Sequence, residues 1–89
     1  MQDSYTLDML KIGMSGQLVR LELEPSAGQR LMEMGLTPGT RVGVVRMAPF
    51  GDPVELEVRG SRLSIRKSVA RRIVVQPLPQ APEPGVARS

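Results

Sequence analysis

Val54-Glu55-Leu56-Glu57-Val58-Arg59-Gly60-Ser61-Arg62-Leu63-Ser64-Ile65-Arg66 is two alternating runs of apolar and polar residues joined at a glycine. Period-two alternation puts one face of a strand in a core and the other in water. The spacing predicts strands Val54–Arg59 and Arg62–Arg66 joined by Gly60-Ser61, a type II′ turn with glycine first. That register sets Arg59 opposite Arg62, Val58 opposite Leu63, Leu56 opposite Ile65 and Glu55 opposite Arg66. Val54, Leu56, Val58, Leu63 and Ile65 then share the buried face. Glu55 and Arg66 form an exposed cross-strand pair, worth about 0.2–1 kcal/mol.

Working back toward the N-terminus, Ala48-Pro49-Phe50-Gly51-Asp52-Pro53 is a loop. Arg41–Met47 is a strand with Val42 and Val44 on one face and Val45 and Met47 on the other. Thr37-Pro38-Gly39-Thr40 suits a type II turn, with Pro38 and Gly39 at its centre. A helix is expected over Ala27–Met34. Ser26 would be its N-cap, Gln29 would complete a capping box, and Gly35 would be its left-handed C′ stop. Ala27, Leu31 and Met34 fall on one face of it, which would plug one end of the fold. Gln17–Glu24 alternates Val19, Leu21 and Leu23 with Arg20, Glu22 and Glu24, and predicts a strand that Pro25 ends. Thr6 starts a short helical turn carrying Leu7, Met9, Leu10 and Ile12, broken by Gly13 and Gly16. Toward the C-terminus, Ser68 caps a short helix Val69–Arg72, and Ile73–Gln76 is the closing strand.

Eighty-nine residues accommodate one domain. The expected domain is 7–76, with a loose end at 1–6. A proline-rich tail over 77–89 holds four of the eight prolines and has too little apolar surface to fold. Short strands in a sheet this small leave costly edges, so a small β-barrel of about five strands with one or two short helices is expected. The chain has no cysteine and no histidine, which removes the thiolate and imidazole ligands and the commonest general base. No metal site, no cofactor and no catalysis are expected. The lack of a long apolar run or leader points to the cytoplasm, with no insertion into a membrane.

Leu31-Met32-Glu33-Met34-Gly35-Leu36-Thr37-Pro38-Gly39-Thr40 resembles the segment L-x-x-x-G-L-x-P-G-T of the ferrous iron transport protein A (FeoA) family. Ala48–Pro53 is similar to that family's A-P-x-G-D-P loop. Arg59-Gly60, Leu63-Ser64-Ile65-Arg66, Ala70 and Ile73-Val74-Val75 resemble its closing hairpin, helix and strand. The resemblance implies an SH3-like barrel and a cytosolic location. It also implies service to the bacterial ferrous iron permease FeoB, and kinship with the barrel domain at the end of iron-dependent repressors. The methionines of the N-terminal segment and the proline-rich tail depart from the family pattern.

Within this frame Gly35, Pro38, Gly39 and Gly60 are structural turn residues, and no phosphate-loop glycine-lysine-serine/threonine pattern follows any of them. Phe50 is one of two aromatics, set in a proline-framed loop. It is either an exposed contact residue or a side chain folded over the barrel mouth. Asp52 either caps nearby backbone amides or contacts a partner. Arg46, Met47, Phe50, Asp52 and Arg66 are the candidate partner-binding residues. Ten arginines stand against two lysines, and Arg41, Arg46, Arg59, Arg62, Arg66, Arg71 and Arg72 form either a solvated outer face or a docking surface for acidic groups. A FeoB-type permease, met from the cytosol, is the expected partner, and self-association stays open. Two alternatives are carried: a nucleic-acid-binding barrel, and a weak transition-metal carrier or sensor. Against the first, Tyr5 and Phe50 are the only aromatics and neither is expected on a strand. Against the second stands the missing histidine and cysteine.

Overall fold

Alternating apolar residues punctuated by glycine turns build six strands in the computed structural model, which describes residues 5–79. They are β1 (Tyr5–Thr6), β2 (Ser15–Leu21), β3 (Arg41–Met47), β4 (Val54–Val58), β5 (Ser61–Ile65) and β6 (Ile73–Pro77). Helix α1 (Pro25–Glu33) joins β2 to β3, and α2 (Lys67–Ala70) joins β5 to β6. The strands form one antiparallel sheet in the order β1-β6-β2-β3-β4-β5. This is the mainly β, SH3-like architecture that the sequence implies, with the two-residue β1 as its additional strand. A 3₁₀ turn, Leu7–Met9, packs against α2 and β6, and buries Leu7. Leu7, Leu10, Leu36, Val42, Leu56 and Ile73 are fully buried in one continuous core.

Two β-bulges decide which residues reach that core. In β2 the register with β6 shifts between Leu18 and Arg20, so Val19 is the extra residue. Leu18 is therefore buried and Val19 is 41% exposed, reversing the face expected from the alternation. Beyond the bulge Leu21 turns back toward the core. In β3 the shift falls between Val44 and Arg46, which makes Val45 the extra residue. Val42, Val44 and then Met47 all pack on the same core, and Arg46 comes to lie opposite Glu55.

The β4–β5 hairpin turns at Arg59-Gly60, not at Gly60-Ser61. Val58 pairs with Ser61, Leu56 with Leu63 and Val54 with Ile65. Arg59 and Gly60 both have positive φ, 53° and 83°, which is the type I′ pattern. Its twist matches the strands, and glycine at the second centre is favoured there. The partners are displaced by two along the pairing, so the core-facing set is unchanged. The Glu55–Arg66 pair is lost: Glu55 faces Ser64, and Arg66 leaves the sheet to become the N-cap residue of α2.

Helix α1 begins earlier than expected, because Pro25 is its first residue rather than the strand's stop. Ser26 is inside the helix, and no side-chain cap forms. Gln29 donates to Glu33 at 3.3 Å instead of closing a capping box. Its C-terminus is a Schellman motif: Gly35 N–H donates to Met32 O and Leu36 N–H to Leu31 O, both at 3.0 Å. Gly35 holds φ +106°, and this reversal drives Leu36 into the core. Only Gly28 of α1 is buried, while Ala27 and Met34 are exposed. Leu36 therefore supplies the burial expected of the helix face.

The paired region passes both expected boundaries. Tyr5 and Thr6 pair with Val75 and Val74. Pro77 pairs with Gly16, and Leu78 N–H donates to Ser15 O at 3.0 Å. Residues 1–4 and 80–89, where a loose end and a disordered tail are expected, lie outside the described residues. Helix α2 spans Lys67–Ala70 rather than Val69–Arg72, with Ser68 inside it.

Candidate functional site

Strands β3 and β4 end against a loop, Ala48–Pro53, that is closed by its own backbone. Ala48 N–H donates to Pro53 O at 3.1 Å, and Gly51 N–H donates to Ala48 O at 2.7 Å. Reversal within so few residues puts Phe50 and Gly51 at φ 76° and 80°. For glycine this conformation is free, but for an L side chain it costs on the order of 1–2 kcal/mol. Phe50 is 101% exposed, so it projects into solvent and does not fold over the barrel.

Asp52 is bound elsewhere. Its Oδ1 accepts from Lys67 N–H at 2.9 Å, so a loop carboxylate satisfies the first amide of α2. That helix has no cap from its own N-cap residue, Arg66. The bridge ties the loop to the start of α2.

Arg46 and Met47 line a hollow of about 400 Å³ with Pro49, Pro53, Glu55 and Ser64. Arg46 Nε lies 3.9 Å from Glu55 Oε1, with Arg46 well exposed and Glu55 partly so, a weak and salt-screened pair. Met47 is half-buried against the core, so much of its surface is committed to packing. Asp52, Pro53 and Arg66 line a second hollow of about 310 Å³, and Pro53 belongs to both. Arg46, Met47, Asp52 and Arg66 are thus gathered around Pro53, and Phe50 stands at the loop outside either hollow.

Two further features escape sequence reasoning. A hollow of about 550 Å³ is lined by Ser15, Thr40, Arg41, Glu57 and Arg59 among others. There Arg41 donates to Ser15 Oγ at 3.5 Å, and Arg59 donates to Thr40 Oγ1 at 3.3 Å. Thr40 is only 8% exposed and also meets Thr37 Oγ1 at 2.8 Å, so Arg59 serves a buried hydroxyl. Cross-strand register assembles this hollow, and no local motif marks it. The other is an apolar hollow of about 310 Å³ beside α1 and β5, with Leu31 and Ile65 in its wall. Its signal was present in Ala27 and Leu31, which the helical spacing assigned to a core plug.

Among the described residues, no group of three or more carboxylates is placed to hold a metal ion. No described helix is long and apolar enough to cross a membrane. Tyr5, not expected on a strand, lies in β1, half-buried, with its hydroxyl 3.4 Å from Met9 O.

Comparison with known proteins bears on this arrangement. The family model for the FeoA domain matches residues 5–77. A Fe(2+) transport protein A/Fe(2+) transporter FeoB fusion protein of Porphyromonas gingivalis is 33% identical over 70 residues. The match covers 79% of this chain and 8% of the fusion protein's length. The solution structure of FeoA from Chlorobium tepidum superposes with TM-score 0.81 at 34% identity, covering 94% of this chain and 85% of that one. A manganese-dependent transcriptional repressor, in complex with manganese, gives TM-score 0.76 at 18% identity, covering 88% of this chain and 38% of the repressor. That last likeness is one of fold.

Proposed function

The chain belongs to the FeoA family, and on that premise we propose that it is a cytoplasmic accessory protein of ferrous iron uptake that docks on a FeoB-type permease and modulates its transport. The observation that carries this reading is the Porphyromonas gingivalis relative, in which a matching segment shares one chain with a FeoB transporter. Fusion holds two modules at high effective concentration. Modules carried on separate chains reach the same arrangement by binding. The docking face is assigned to the Ala48–Pro53 loop, with Phe50 as the anchor and Arg46 and Arg66 beside it. The loop's closing hydrogen bonds and its bridge to Lys67 support this, because a stiff loop loses little entropy on association.

The reading assigns no catalysis to the chain: it is a binding module, and any nucleotide hydrolysis belongs to its partner. A nucleic-acid role would call for neighbouring aromatic platforms. Here Tyr5 is half-buried in β1 and Phe50 sits on the loop, on separate elements. Tagged chain expressed in its native cell, with membranes solubilised and captured proteins identified, tests the adaptor reading. The permease should be retained by the wild type and lost with a chain carrying Phe50→Gly. Capture without the permease contradicts it.

A further inference from the structure

The sheet has an open side at β5. In the order β1-β6-β2-β3-β4-β5 this strand is terminal, and its five residues make it the longer of the two ends. In a two-residue hairpin the pair that closes the turn is hydrogen-bonded, here Val58 and Ser61. Ser61, Leu63 and Ile65 therefore direct their backbone groups to β4, and Arg62 and Ser64 direct theirs outward. An outward row of N–H and C=O groups is a template for another strand.

The ground beside this edge is shaped and charged. The hollow of about 310 Å³ is walled by Ala27, Arg30 and Leu31 of α1 on one side and by Ser64, Ile65 and Arg66 on the other. Helix α1 thus stands across a gap from the strand edge. No carboxylate lines the gap. Among the described residues the ion pairs are Arg20–Glu22 and Arg46–Glu55, so Arg30 and Arg66 have no acidic partner, and Arg62, though opposite Glu57 in the register, forms no ion pair with it. Ser64 also lines the hollow at Arg46, and Arg66 the one at Asp52, so this ground is continuous with the loop face.

We infer that the outer edge of β5, with the hollow beside it, receives an extended acidic segment of a partner protein by strand addition. Backbone pairing with Arg62 and Ser64 supplies the geometry, and alternate side chains of the added strand divide the remaining work. One apolar side chain enters the hollow over Leu31 and Ile65, and carboxylates on the segment meet the three unpaired arginines. The edge binds such a segment whichever protein supplies it; only its placement on the permease rests on the adaptor reading.

The test uses the full chain, labelled for amide-resolved hydrogen exchange, and a capped heptapeptide alternating glutamate with valine and leucine. Two counterparts serve as controls, one with lysine for glutamate and one with proline at alternate positions. The glutamate peptide should slow exchange at Arg62 and Ser64 by about tenfold or more, and both controls should bind at least about tenfold more weakly. Ser64→Pro removes an outward donor without breaking the β4 ladder, as edge proline allows, and should abolish binding. Should that variant not fold, Arg30→Glu with Arg66→Glu should reverse the preference toward the lysine peptide. Equal binding of all three peptides, or unchanged exchange at Arg62 and Ser64, overturns the inference. Concentration-dependent protection of the same amides without peptide also overturns it, because the occupant is then a second copy of the chain. A permease complex that leaves Arg62 and Ser64 unprotected keeps the adaptor reading and removes strand addition there. Peptide binding without permease binding does the reverse.

Discussion

The carboxylate of Asp52 accepts the backbone N–H of Lys67 at 2.9 Å, fifteen residues along the chain. One residue thereby holds the loop that carries Phe50 and starts the helix that leads to β6. The bond explains why α2 needs no cap of its own, and it makes the candidate docking loop a fixed part of the fold.

Removing that acceptor should cost what a helix cap is worth. Asp52→Ala is expected to lower stability by about 0.5–2 kcal/mol, and Asp52→Asn by less because its amide oxygen still accepts. Urea unfolding of the three proteins measures this. Equal midpoints would mean the bridge does not hold in solution.

The hairpin register can be read by coupling energies. Double-mutant cycles should give about 0.2–1 kcal/mol between Arg46 and Glu55, which lie opposite each other, and nothing measurable between Glu55 and Arg66. Gly60→Val should cost about 1–3 kcal/mol, because φ is +83° there. Coupling of Glu55 to Arg66 would restore the II′ register.

Phe50 is expected to oppose stability. Its side chain is fully exposed while its backbone is left-handed, so Phe50→Gly relieves strain of about 1–2 kcal/mol and adds unfolded-state entropy of about 0.5–1. The net change in unfolding free energy should be neutral or favourable by up to about 1.5 kcal/mol. A marked loss of stability would mean that the ring packs on the fold.

The segment after Gln76 should contribute locally. A chain ending at Gln76 loses the Pro77–Gly16 pairing and the Leu78–Ser15 hydrogen bond. It should be less stable than a chain ending at Pro79 by about 0.5–1.5 kcal/mol, readable by thermal or urea unfolding. No difference would place these contacts outside the cooperative unit.

Much of the fold was legible because it follows local rules. Glycines at Gly35 and Gly39 hold the positive φ that their turns require, and Val54, Leu56 and Val58 alternate as a half-buried strand must. What was not legible depends on pairing at a distance. Val19 is alternation-perfect for the core, yet a bulge set by β6 turns it out and brings Leu18 in. The hairpin turns one residue before Gly60-Ser61, with a non-glycine, Arg59, in the positive φ that local rules disfavour. At the site, the loop and the aromatic it carries could be read from Pro49 through Pro53, but the exposure of Phe50 could not, because it follows from the loop's backbone path. The partner of Asp52 and the arginines left unpaired around β5 could not, because they depend on which strands meet.

The adaptor reading stands or falls on direct association with a FeoB-type permease. Purified full-length permease in detergent, and its cytosolic domain alone, should be titrated calorimetrically with wild-type chain and with Phe50→Gly. The wild type should saturate a site on at least one of them, and Phe50→Gly should bind about 5–100-fold more weakly while remaining folded. If the variant binds as the wild type does, the docking face lies away from this loop. If the wild type shows no saturable binding to either protein, the central claim is contradicted.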